Sequence, residues 1–150
     1  MSVAEFQITG LDPVLKKLAA LQGKQMLSAI RSALTKGARI PRDAARRKAA
    51  SFDDPESPSN IAKNIVTRYS GKRSKREGGV VVQVGVAGGA RPAKGNEDTG
   101  HWRLLEFGTS QMAAQPFMRE SLSENAEKIT SEFAGDLDKA IDKIVAKGAR

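Results

Sequence analysis

"LLEFGTSQMAAQPFMRESL", residues 104–122, holds the reading on which the fold turns. An apolar run ends in Glu-Phe-Gly-Thr-Ser, small residues follow, and Pro-Phe-Met-Arg then opens a segment with helical spacing. Glu106 stands between Leu105 and Phe107, so partial burial is expected. A buried carboxylate is costly unless paired, which calls for an arginine: Arg103, Arg119, or one from a neighbouring subunit. That makes Glu106 a salt-bridged anchor in preference to a catalytic acid. Gly108 permits a turn that a side chain would block. Pro116 suits the first turn of a helix, where its missing N–H costs nothing, and Phe117 then pins that helix to the core. The segment reads as a rigid corner joining a sheet to a long helix, with Trp102, Phe107 and Phe117 packed around it.

Downstream, Phe117, Leu122, Ala126, Ile129, Phe133, Leu137, Ile141 and Ile144 predict one amphipathic helix from about Pro116 to Ala146. Upstream, "HWRLLEFG" fits a strand or one short helical turn equally well. "NIVTRYS" (64–70) and "VVVQVGV" (80–86) are β-branched and alternating, and predict a strand pair. Between them "GKRSKREGG" predicts a highly charged hairpin tip. A helix is expected from about Gln25 to Ala50, kinked at Pro41, whose ring clashes with the carbonyl of Gly37. "EFQITG" (5–10) predicts a short strand, and "LDPVLKKLAALQGK" a short helix capped by Asp12 and ended by Gly23. "FDDPESPSN" (52–60) is a linker by composition, and "AGGARPAKGNEDTG" (87–100) is a glycine-rich loop without an apolar anchor. The order predicts an α+β fold: a small antiparallel sheet with a basic hairpin, packed against two or three helices including the long C-terminal amphipathic one. No repeat or boundary divides residues 1–150, so a single domain is expected.

The 150 residues carry a net charge of +8, concentrated in the first half. Residues 63–76 hold Lys63, Arg68, Lys72, Arg73, Lys75 and Arg76 with no acid among them. A second group is Lys36, Arg39, Arg42, Arg46, Arg47 and Lys48, opposed only by Asp43. Such charge favours acidic partners, nucleic acid included. Tyr69 is the only aromatic near the hairpin tip, which argues against sequence-specific single-strand recognition. Contact with a DNA backbone or with an acidic partner surface fits better, through Arg68, Lys72, Arg73, Lys75 and Arg76 and, on the loop, Arg91 and Lys94.

Catalytic patterns are scarce. The absence of cysteine excludes disulfides, thiolate metal sites and thiol nucleophiles. His101 is the only histidine, and Glu97 and Asp98 nearby lack metal-ligand spacing; it reads as the end of a loop beside Trp102. The glycine-rich loop lacks the Gly-Lys-Ser/Thr order of a phosphate cradle, and "GTSQM" lacks a nucleophile elbow. No enzymatic activity, cofactor or metal is expected. The opening "MSVAEFQITG" shows no secretory pattern, and no apolar run is long enough to span a bilayer, so a cytosolic, membrane-free start is expected.

"ITGLDPVLKKLAAL", "ALTKGARIPRDAARRKA" and "HWRLLEFGTSQMAAQPFMRESL" together resemble the gene-product-ten-like tail-component family of lambdoid long-tailed bacteriophages. The likeness runs from about Ile8 to the terminal helix. Its most specific part is Leu105-Glu106-Phe107-Gly108-Thr109-Ser110 followed by Gln115-Pro116-Phe117-Met118-Arg119. Many members have prolines where this chain has Ala113 and Glu120. The resemblance implies a non-enzymatic virion protein, made in the host cytoplasm, that forms a homo-oligomeric ring at the head–tail junction as a neck, tail-completion or tail-terminator protein. Its expected partners are itself, the adjoining head-closure or connector and tail-tube proteins, and DNA in the channel. The 87–100 loop and the 70–79 tip are expected to order only on assembly. The competing reading is a stand-alone basic DNA-binding protein, which predicts salt-sensitive DNA affinity from the isolated chain.

Overall fold

Pro41 has no amide hydrogen to offer the Gly37 carbonyl, and the helical ladder is interrupted where that bond is missing. The computed structural model describes residues 23–56, 60–87 and 99–148, together with Pro13. In it helix α1 spans Lys24–Gly37 and α2 spans Arg39–Ala50. Ala38 between them keeps right-handed helical angles, φ −67° and ψ −13°. The expected kink is therefore a break between two helices. After α2 come α3 (Ile61–Asn64), β1 (Ile65–Tyr69), α4 (Gly71–Glu77), β2 (Val82–Val86), α5 (Trp102–Phe107), α6 (Phe117–Ser123) and α7 (Ala126–Gly148). The two strands form one antiparallel pair, and the architecture is α+β.

The chain forms two compact units, passing from one to the other after Gly37, Arg68, Val82 and Asn125. In the unit holding α1, α4 and α7, α1 packs along α7. Its core is Ala29, Ala33, Phe133, Leu137 and Ile141. Gly37 brings the helices close: a Cβ there would stand 3.4 Å from the Ile129 carbonyl oxygen. The other unit is centred on Ala45, Ala49, Ile61, Ile65 and Phe117, with Phe52, Trp102 and Leu105 packed against them. Phe52 meets Phe117 edge-on at 6.0 Å between ring centres. The small alanines of α2 let α6 and α3 approach it closely.

Several expectations are corrected. The charged tip between the strands is helical: the Ser70 hydroxyl accepts from the Arg73 amide at 3.4 Å, and Gly78 ends α4 in the left-handed region at φ +69°. Ser74, buried, donates to the Ser70 carbonyl at 2.7 Å and accepts from the Val81 amide at 2.9 Å. The terminal helix is two helices, interrupted at residues 124–125. Asn125 Nδ2 donates to the Ser121 carbonyl at 2.9 Å, taking the acceptor that the next helical amide would use. "HWRLLEFG" resolves as helix. The N-terminal strand and helix, and most of the 87–100 loop with Arg91 and Lys94, lie outside the described residues.

Candidate functional site

Helix α5 ends at Phe107, and Gly108 turns the chain with φ +72° and ψ 178°. A side chain is excluded twice over there. The backbone is left-handed, and a Cβ would fall 2.8 Å from both Ala114 N and Met112 O. Thr109 N–H donates to the Met112 carbonyl at 2.8 Å, and Gln115 N–H returns to the Leu105 carbonyl at 2.7 Å. Pro116, at φ −78° and ψ 68°, is the centre of an inverse γ-turn closed by Phe117 N–H on Gln115 O at 2.8 Å. Helix α6 begins at once, and Phe117 is buried in the core.

Glu106 closes the corner. It is 1% exposed. Its Oε2 accepts from the Met118 amide at 2.9 Å, and its Oε1 from the Arg119 amide at 3.1 Å. The carboxylate thus caps the first turn of α6, where unpaired amides and the helix dipole favour negative charge. Arg119 Nε donates to the same Oε1 at 3.0 Å, and Arg119 Nη2 to the Glu106 carbonyl at 2.8 Å. Of the arginines considered, Arg119 is the partner; Arg103 instead lies 5.8 Å from the Trp102 ring centre. With its oxygens engaged by three donors, Glu106 is occupied in joining α5 to α6. Trp102 is half-buried against the core, as the corner requires. Phe107 does not pack inward, which corrects that expectation. It is 60% exposed, with the Arg119 guanidinium 5.1 Å from its ring centre. Leu104, one helical turn away, is 52% exposed.

Of the candidate contact residues, Lys72, Arg73, Lys75 and Arg76 all lie on α4, and Arg68 is exposed on β1. Lys72, Lys75 and Arg76 share one face of the helix by their spacing. Arg73 and Arg76 pair with Glu77 at 3.5 and 3.0 Å. The Arg76 hydrogen bond, more than the charge of Arg73, holds the Glu77 carboxyl below its ordinary pKa. The second basic group is largely committed to the fold. Arg46 places Nε and Nη2 on the Ile65 carbonyl at 2.9 and 2.7 Å, and Lys48 bridges Glu120 and Glu124 at 2.9 and 2.8 Å. Lys36 pairs with Asp136 and Arg42 with Asp43. His101 is exposed, and among the described residues no group of acidic and histidine side chains is gathered to hold a metal ion.

The family described as "Bacteriophage HK97-gp10, putative tail-component" matches residues 12–108, well over half of the chain. The chain belongs to this bacteriophage tail-component family. It is thus a phage structural protein whose place is the virion. No curated protein and no solved structure matches it. The match ends at Gly108, short of the extent read from the sequence, so the Pro-Phe-Met-Arg half of the motif rests on the geometry above. No helix of this tail component is long and apolar enough to cross a membrane, among the described residues.

Three anchoring residues of the tail component, Asp53, Asn64 and Thr99, carry no motif in its sequence. Asp53 accepts from the Ile61 and Ala62 amides at 2.8 and 3.0 Å, capping α3 from the linker as Glu106 caps α6. Asn64 Nδ2 donates to Thr99 Oγ1 at 2.9 Å, buried where α5 is about to begin. For Asp53 a signal existed: an aspartate ahead of Asn60, itself the cap of the Lys63 amide at 2.8 Å. For Thr99 nothing local pointed inward.

Proposed function

We propose that this tail component is a subunit of a homo-oligomeric ring at the head–tail junction, in its neck, tail-completion or tail-terminator layer, and acts there without catalysis. The observation that carries the reading is the exposed pair Leu104 and Phe107 on a helix held rigid by the Glu106–Arg119 clamp. A subunit that met only solvent would gain nothing from a fixed apolar ridge. A ring needs one surface of each copy to meet a different surface of the next, and a rigid ridge supplies one of the two. Trp102, Glu106, Gly108, Pro116 and Phe117 then act as scaffold, and Phe107 belongs to the ridge they hold. Its neighbours are the adjoining head-closure or connector and tail-tube proteins. Residues 1–150 work as one domain, because each unit is built from separated segments and neither can be released as a continuous piece.

The test is the sedimentation profile and electron microscopy of the purified chain, with its adjoining virion protein where assembly requires it. Rings are expected from the natural chain, and their loss in Phe107→Asp and Leu104→Asp at unchanged melting temperature. Rings that form equally well in both variants would overturn the role of the ridge.

One observation favours DNA contact as a second role. Lys72, Lys75 and Arg76 project from one face of α4, as phosphate-contacting side chains do. Charge reversal at all three should reduce duplex DNA affinity and flatten its salt dependence. DNA delivery unaffected by that reversal would remove the role, and steep salt-dependent affinity in a chain that never assembles would favour a stand-alone DNA-binding protein.

A further inference from the structure

A groove of about 560 Å³ opens between α1 and the connection that carries the chain from β1 through α4 to β2. That volume falls within the range of ligand-binding clefts. Leu27, 49% exposed, contributes apolar surface, together with Val80 and the ring of Tyr69. Its cations are Lys24, Arg31 and Lys75. Among the described residues none of the three makes an ion pair, and no acidic side chain lines the groove. Arg31 is held in place by its guanidinium, 4.1 Å above the Tyr69 ring. Gly79 leaves one wall as bare backbone, since a Cβ built there meets nothing within 4 Å.

We infer that this groove receives an acidic segment of an adjoining virion protein, anchored by one large apolar side chain. Three unpaired cations select for negative charge. The apolar surface separates the possible sources of that charge. A DNA backbone would leave Leu27 and Val80 uncovered, and the one aromatic ring that a base could stack on is already faced by Arg31. A peptide with a leucine or phenylalanine among its acids covers the apolar surface and neutralises the rim together. The wall at Gly79 lets a second backbone come close without meeting a side chain. The inference rests on the chain acting in the virion, but the groove shares no residue with the Leu104–Phe107 ridge, so the two tests can fail separately.

The isotope-labelled full chain should be titrated, with backbone amide shifts recorded, against three probes. These are a short peptide of glutamates and aspartates around a single leucine, the same peptide with alanine for leucine, and random-sequence duplex DNA. Saturable shifts at Leu27, Ser28, Gly79 and Val80 are expected from the leucine peptide. The alanine peptide should bind about tenfold more weakly. Arg31→Ala should weaken the leucine peptide, and Gly79→Leu, which fills open space without crowding the fold, should abolish its shifts. Equal binding of both peptides, equally strong shifts from DNA at those residues, no saturation, or full binding by Gly79→Leu would each overturn the proposal.

Discussion

At the scale of single residues, the corner depends on one carboxylate doing two jobs: capping α6 and neutralising Arg119. Removing it strands two helix amides and leaves a cavity where the buried carboxylate stood, beside an arginine that is itself largely exposed. Glu106→Ala should therefore cost roughly 3 kcal/mol in chemical denaturation, the scale of two partly buried amides left without an acceptor. Arg119→Ala should cost only about 1 kcal/mol, because the arginine side chain is 57% exposed and the backbone amides still hold the carboxylate. The reverse order would mean that the arginine, and not the helix cap, sets the joint. Gly108→Ala should cost at least about 2 kcal/mol, since both a left-handed backbone and a clash with backbone atoms must be accommodated.

At the scale of elements, the terminal stripe shows where sequence periodicity was legible and where it slipped. Ile129, Phe133, Leu137, Ile141 and Ile144 keep helical spacing, and all lie in α7. Leu122 was counted in the same stripe, yet it sits five residues after Phe117 and is 37% exposed, while Ser121 takes the buried position. That phase change marks the interruption before α7, which the Asn125 side chain completes through its bond to the Ser121 carbonyl. We expect Leu122→Gln to change stability by less than about 0.5 kcal/mol in the isolated chain, and Leu137→Ala to cost about 2–5 kcal/mol. The same reasoning explains α4. Basic residues between two strands read as a β-turn tip, while the Ser70 and Gly78 caps at its ends, present in the sequence, went unweighted. The pairing of Glu106 was legible because burial and charge were both visible locally. The outward turn of Phe107 was not, since its neighbours in space come from Arg119. Lys48 gives this scale a pH test. Its hydrogen bonds to Glu120 and then Glu124 raise its pKa above the ordinary lysine value. Folded pKa thus exceeds unfolded, so the stabilisation is complete below the unfolded value and lost as pH rises through the folded one. The bridge is largely solvent-exposed, so its loss in strongly alkaline buffer should amount to less than about 1 kcal/mol. A Lys48→Met variant should lack that step in an alkaline denaturation series; its persistence would assign it elsewhere.

At the scale of the whole molecule, a chain that crosses between its two units after Gly37, Arg68, Val82 and Asn125 binds their fates together by connectivity. A single calorimetric transition is expected, and two separated transitions would show that each unit folds for itself. Membership in the phage tail-component family gives the virion as the setting. The clamp and the exposed ridge on α5 give a physical reason for repeated copies to meet there. The most direct measurement is electron cryomicroscopy of the phage particle that carries this protein. A closed ring of copies at the head–tail junction is expected, with Leu104 and Phe107 of each buried against the next. Single copies, a position away from the junction, or a ring in which both residues face solvent would contradict it.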